Sequence, residues 1–150
     1  MLEFAHAATG GLLAYKIGNP FLALPLALAS HFALDLLPHW NPNLTKEKKH
    51  GGIKKLTLMV ILLDCLTGLA LGLFIAKQAL PDLKKAGIII LGSFLGILPD
   101  LIEAPYYFFD QKIPFLRKLV AFQGRLQWNV SLPFGIIFQI GYLLLLFQIL

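Results

Sequence analysis

Residues 30–40 read Ser-His-Phe-Ala-Leu-Asp-Leu-Leu-Pro-His-Trp and set three metal-capable side chains, His31, Asp35 and His39, into an otherwise apolar run. Spaced four apart, they would turn by ~400° and rise by ~6 Å per step on a continuous helix, which lines all three along one face. Pro38 removes a backbone donor and tends to end or kink the helix ahead of it, so His39 is expected at the foot of that face or on a turn.

The rest of the chain is as apolar as this stretch. Of 150 residues 57% are hydrophobic and 14% charged, with a mean hydropathy of +0.74, outside the usual composition of a soluble domain. An integral membrane protein is expected, with one domain of short spans and no separate soluble catalytic domain. The net charge of +5 brings no basic patch interleaved with aromatics, so nucleic acid is not an expected partner. Cys65 is the one cysteine, which excludes an intramolecular disulfide and leaves nitrogen and oxygen as metal donors. No basic region precedes the first apolar run, so no cleaved signal is expected.

Taken in order, the pattern predicts an all-α, polytopic membrane helix bundle of about five spans. Span one covers 2–17, Gly18-Asn19-Pro20 turns the chain back, and span two covers 21–37. A lysine-rich polar loop occupies 41–55. Span three is 56–76 and span four about 84–98, ending at Pro99-Asp100. The mixed segment 101–131 contains an amphipathic, interfacial helix at 115–127, and span five is 132–150. Gly68-x-x-x-Gly72 and Gly92-x-x-x-Gly96 supply small faces for close helix packing.

The two hairpins, 2–40 and 56–100, read as a parallel repeat. His6-x-x-Thr9-Gly10 aligns with Asp64-x-x-Thr67-Gly68, and Leu37-Pro38-His39 aligns with Leu98-Pro99-Asp100. Chance matching of dipeptides common in membrane helices is the competing explanation. Nine basic residues in 41–55 and 101–131, against Lys16, Lys77, Lys84 and Lys85 opposite, put the N-terminus and the polar residues on the cytoplasmic side of the inner membrane.

An ionised Asp inside a span costs roughly 2.5–3.5 kcal/mol on insertion scales, and Asp35, Asp64 and Asp100 all fall in or at the ends of apolar spans. A divalent metal held by His6, His31, Asp35, His39, Asp64 and Asp100 would offset that cost. The nitrogen and oxygen donors favour zinc or manganese. Asp64 and Glu103 are the candidate catalytic carboxylates, Glu103 also being readable as a solvated interfacial group, and Thr9 or Thr67 could orient ligands. The competing explanation pairs His31 with Asp35, leaves His39 and Asp100 interfacial, and keeps Asp64 protonated against a neighbouring hydroxyl.

His6, His31-x-x-x-Asp35-x-x-Pro38-His39 and Leu98-Pro99-Asp100 together resemble the YdjM-like family of membrane-bound predicted metal-dependent hydrolases. The likeness covers spans one to four. It departs from the family's Leu-Pro-Asp-x-Asp-His segment in having Asp35 ahead of the proline and His39 directly after it. The resemblance implies a metal site. The expected function is hydrolysis of an ester or phosphoester, in a membrane lipid whose anionic headgroup the lysine loop would attract. The alternative is a non-enzymatic membrane protein whose His/Asp cluster binds ions or fixes helix packing.

Overall fold

The computed structural model describes all 150 residues as seven helices with no strand: α1 Glu3–Ile17, α2 Pro20–Asp35, α3 Leu44–Lys49, α4 Lys55–Lys77, α5 Leu83–Phe108, α6 Pro114–Leu126 and α7 Leu132–Phe147. The turn between α1 and α2 follows from its residues. Gly18 takes the left-handed φ of +70° that a side chain would disfavour, the Asn19 side chain accepts from the Phe21 N–H (3.0 Å), and Pro20 opens α2.

At the centre stands α1, packed against α2, α4, α5 and α7, with α5 its most extensive partner. Its run of small residues makes this position available to it. A Cβ on Gly10 would collide with the Gly92 carbonyl, and one on Gly96 with the His6 carbonyl, so the α1 and α5 backbones lie in direct contact. Gly68 of α4 rests on Ala7 and Phe4 of α1, while Gly72 faces Ser93 of α5. The two Gly-x-x-x-Gly faces thus clasp α1 as well as each other. Beyond this crossing an apolar cluster of Ala8, Ala14, Ala23, Ile75, Ala76, Ala86 and Ile89 fills one end of the bundle.

Two helices, α4 and α5, are long and apolar enough to cross a membrane, and only 22% and 39% of their apolar windows are buried within the protein. Leu62, Leu63, Leu66 and Leu69 of α4 point outward, as do Phe134, Ile137, Leu144 and Leu145 of α7. An apolar surface of this extent suits lipid better than water. Shorter apolar helices are α2 and α7.

Of the two boundaries expected at prolines, one differs from the sequence expectation. α2 does stop before Pro38, where the Leu37 N–H closes onto the Leu34 carbonyl (2.9 Å) that Pro38 cannot serve. α5, in contrast, runs through Pro99 and Pro105 to Phe108 instead of ending near Leu98. Contacts with α1 and α2 hold it, and neighbouring helices commonly outweigh proline's local cost of roughly 3 kcal/mol. The polar loop contains the short helix α3, capped by Asn43, which accepts from the Lys46 N–H (2.8 Å).

Candidate metal centre

Four groups meet at the end of the bundle opposite the apolar cluster. α1 brings His6, the last turn of α2 brings His31 and Asp35, the turn after it brings His39, and the middle of α5 brings Asp100. His6, His31, Asp35 and His39 are each 0% exposed. Asp35 lies between the three imidazoles: its Oδ1 is 3.5 Å from His6 Nε2 and 3.9 Å from His39 Nε2, and its Oδ2 is 3.6 Å from His31 Nε2. His31 Nε2 also lies 3.5 Å from Asp100 Oδ1, and the His6 and His31 rings stack with centroids 4.1 Å apart. The amino group of Met1 donates to Asp35 Oδ1, so a positive group already stands beside these donors.

The separations of 3.5–3.6 Å from His6 and His31 are long for hydrogen bonds but suit atoms sharing an ion, while His39, at 3.9 Å, stands slightly farther off. A tetrahedral centre with bonds of ~2.0–2.2 Å places its donors about 3.3–3.6 Å apart. His6, His31 and Asp100, whose candidate donor atoms lie within 4.8 Å of one another, form a group that could hold a metal ion. Ring orientation favours the same use. His31 Nδ1 bonds the Gly96 carbonyl (2.8 Å) and His39 Nδ1 the Leu37 carbonyl (2.8 Å), which turns each Nε2 toward Asp35. Both nitrogens of His6, Oδ2 of Asp35 and Nε2 of His39 are buried with no hydrogen-bond partner. Buried polar atoms left in this state need a partner, and a bound ion or water is one that would serve.

Asp64 does not join the group. Its two oxygens accept from the N–H groups of Glu3 (2.7 Å) and Phe4 (2.9 Å), so it caps the first turn of α1 from the neighbouring helix. Glu103, one turn beyond Asp100, is buried and accepts from Gln123 Nε2 (2.5 Å). Neither threonine orients a ligand: Thr9 bonds the Ala5 carbonyl and the Tyr142 hydroxyl (2.8 Å each), and Thr67 bonds the Leu63 carbonyl. His50 is exposed in the loop.

A cavity of about 390 Å³ opens beside the cluster, with Glu3, Asp64, Asp100 and Glu103 on its wall and Asn41, Asn43 and Tyr107 among the other lining residues. No lysine or arginine lines it. Two lysines outside it are already engaged: Lys48 donates to the Tyr106 carbonyl (2.6 Å) and pairs with Asp110 (2.8 Å), which Lys112 also holds (2.8 Å). Hydrogen bonds from Lys112 and Lys48 hold the Asp110 carboxyl down at about 2, below the usual carboxylate range. Glu47 is lowered too, by the Lys54 N–H and then the Thr57 hydroxyl.

Three supports come from residues distant in sequence. The Trp128 N–H donates to the Asp35 carbonyl (2.9 Å), the His39 N–H to the Trp128 carbonyl (3.1 Å) and the Val130 N–H to the His39 carbonyl (2.8 Å), so the segment after α6 is stitched to the His39 turn. Gln139 of α7 accepts from the Leu2 N–H (2.8 Å) and donates to the Trp40 carbonyl (2.9 Å). Gln123 of α6 reaches His31 Nε2 (2.8 Å). The apolar setting of Gln139 is its only sequence signal, since an amide within an apolar run needs a partner, and Gln123, on the amphipathic α6, has none. No protein-family model matches this chain, and neither a curated protein nor a solved structure shows significant similarity to it.

Proposed function

We propose that the protein is a membrane-bound, metal-dependent hydrolase of an ester or phosphoester, acting on a lipid at the cytoplasmic face of the inner membrane. The observation that carries this reading is the ring of three imidazoles turned on Asp35, with four of its buried polar atoms unpartnered, beside an acid-walled cavity. His6, His31 and Asp100 would hold a zinc or manganese ion, with Asp35 and His39 adjoining. Such an ion supplies Lewis acidity and makes a water acidic near neutral pH. Glu103, on the cavity wall one turn from Asp100, would serve as the proton acceptor there; Asp64 keeps its capping role. Five spans (α1, α2, α4, α5 and α7), an interfacial α6 and the likeness to the YdjM-like family all belong to this reading, as does the repeat of the two hairpins.

The charge of the cavity refines the substrate. With four carboxyls and no basic side chain on its wall, the cavity offers an anionic ester group only the Met1 amino group as a cation, and a metal would have to supply the rest of the attraction. The lysines stay outside the cavity, where Lys48 and Lys112 are both paired with Asp110. The alternative, a structural cluster, has one specific support: the Met1 amino group already gives Asp35 a counter-charge. Metal analysis of detergent-purified protein, with hydrolysis of phospholipid vesicles before and after chelation, separates the two. The hydrolase reading requires bound metal that is lost in His6→Ala and His31→Ala, and a chelator-sensitive product. Absence of both leaves the structural cluster.

A further inference from the structure

Only two side chains of α6 are buried, Leu116 and Gln123, seven residues and so two turns apart on one face. Gln123 is 1% exposed and is the only α6 side chain bonded to the His/Asp cluster. Its carboxamide bridges His31 Nε2 (2.8 Å) and Glu103 Oε1 (2.5 Å). The Nε2 it occupies is the same atom that lies 3.5 Å from Asp100 and 3.6 Å from Asp35, the one a shared ion must use. Of the three imidazole Nε2 atoms facing Asp35, those of His6 and His39 have no hydrogen-bond partner. His31's alone is taken.

A neutral imidazole whose Nδ1–H is given to a carbonyl keeps one lone pair, on Nε2. Whichever way the carboxamide is turned, that nitrogen either accepts from Gln123 or carries a proton donated to it. In neither state can it bind a metal. We infer that Gln123 is a positioning residue that competes with the metal for His31, so that seating of α6 and occupancy of the metal centre oppose each other. Withdrawal of Gln123 also releases Glu103, so the metal ligand and the candidate proton acceptor become free together. By linkage, whatever factor α6 seating takes from metal affinity, bound metal takes from α6 seating. The inference rests on the metal reading above.

The test is a zinc titration of the full chain in detergent micelles, wild type against Gln123→Leu, with amide hydrogen exchange of α6 followed in parallel. Removing one competing hydrogen bond predicts about threefold to tenfold tighter zinc binding by the variant. Zinc should speed exchange across α6 in the wild type and leave it unchanged in Gln123→Leu. A wild type that binds no zinc overturns the metal reading and this inference with it. A wild type that binds zinc, with a variant that binds equally or more weakly, overturns only the inference. If Gln123→Leu does not fold, the wild-type exchange decides alone: slower or unaltered exchange of α6 on adding zinc contradicts the competition.

Discussion

The α1–α5 pair is built to opposite rules at its two ends. Where Gly10 meets Gly92, backbone lies on backbone, and the Ala and Ile side chains beyond it leave no polar atom unserved except Ser93 Oγ. A few residues away, His6, His31, Asp35 and Asp100 crowd together with several buried atoms unpaired. Each unpaired buried group costs about 1–3 kcal/mol. The first end holds the helices together; the second end is carried at their expense. Stability and ligand binding should therefore respond to substitution in opposite ways at the two ends.

The largest effect is expected from His6→Leu. It removes two unpartnered nitrogens and one proposed ligand, so zinc affinity should fall by about 100-fold or more while thermal stability in detergent stays level or rises by about 1 kcal/mol. A fall in both would place the histidine in the packing framework instead. Gly92→Val should behave conversely. Its new side chain meets the Gly10 carbonyl and the Ala14 methyl, which predicts about 1–3 kcal/mol of lost stability, with zinc affinity nearly kept in whatever fraction folds. Unfolding midpoints and calorimetric titration on the same preparations check both.

Thr9→Val is a smaller probe of the boundary between the ends, because the Thr9 hydroxyl joins α1 to Tyr142 of α7. A loss of about 1 kcal/mol is expected, with no change in metal binding. The smallest effect is at the loop. Asp110 is depressed to about 2, so its contribution is present above the unfolded carboxylate value near 3.9 and is lost as pH falls through that interval. The stability difference between wild type and Asp110→Asn should close between about pH 4 and about pH 2. A difference that persists below that range would mean the carboxyl is not held by its lysines.

The contrast between the ends also explains what the sequence could reveal. The four-residue spacing of His31, Asp35 and His39 survived even the break at Pro38, because the turn after α2 is pinned by Trp128 and Val130 and still delivers His39 to Asp35. Local signals of this kind, together with the Gly18-Asn19-Pro20 turn and the amphipathic pattern of α6, were legible. Asp64 was recognisable as a buried carboxylate, but its partners are backbone N–H groups that no side-chain pattern advertises. Pro99 read as a stop because proline's local cost is visible in sequence while the packing that overrides it is not. Gln123 and Gln139 reach the site across separations of 92 and 137 residues, beyond any periodicity.

Most direct for the central claim is elemental analysis of the wild-type chain purified in mild detergent without added chelator, paired with His6→Leu prepared identically. The proposed metal centre predicts a transition metal, zinc or manganese, near one equivalent or two per wild-type chain and little in the well-folded variant. A folded wild type with no such metal, and none taken up on adding zinc, would contradict it and leave the buried His/Asp cluster as a packing device.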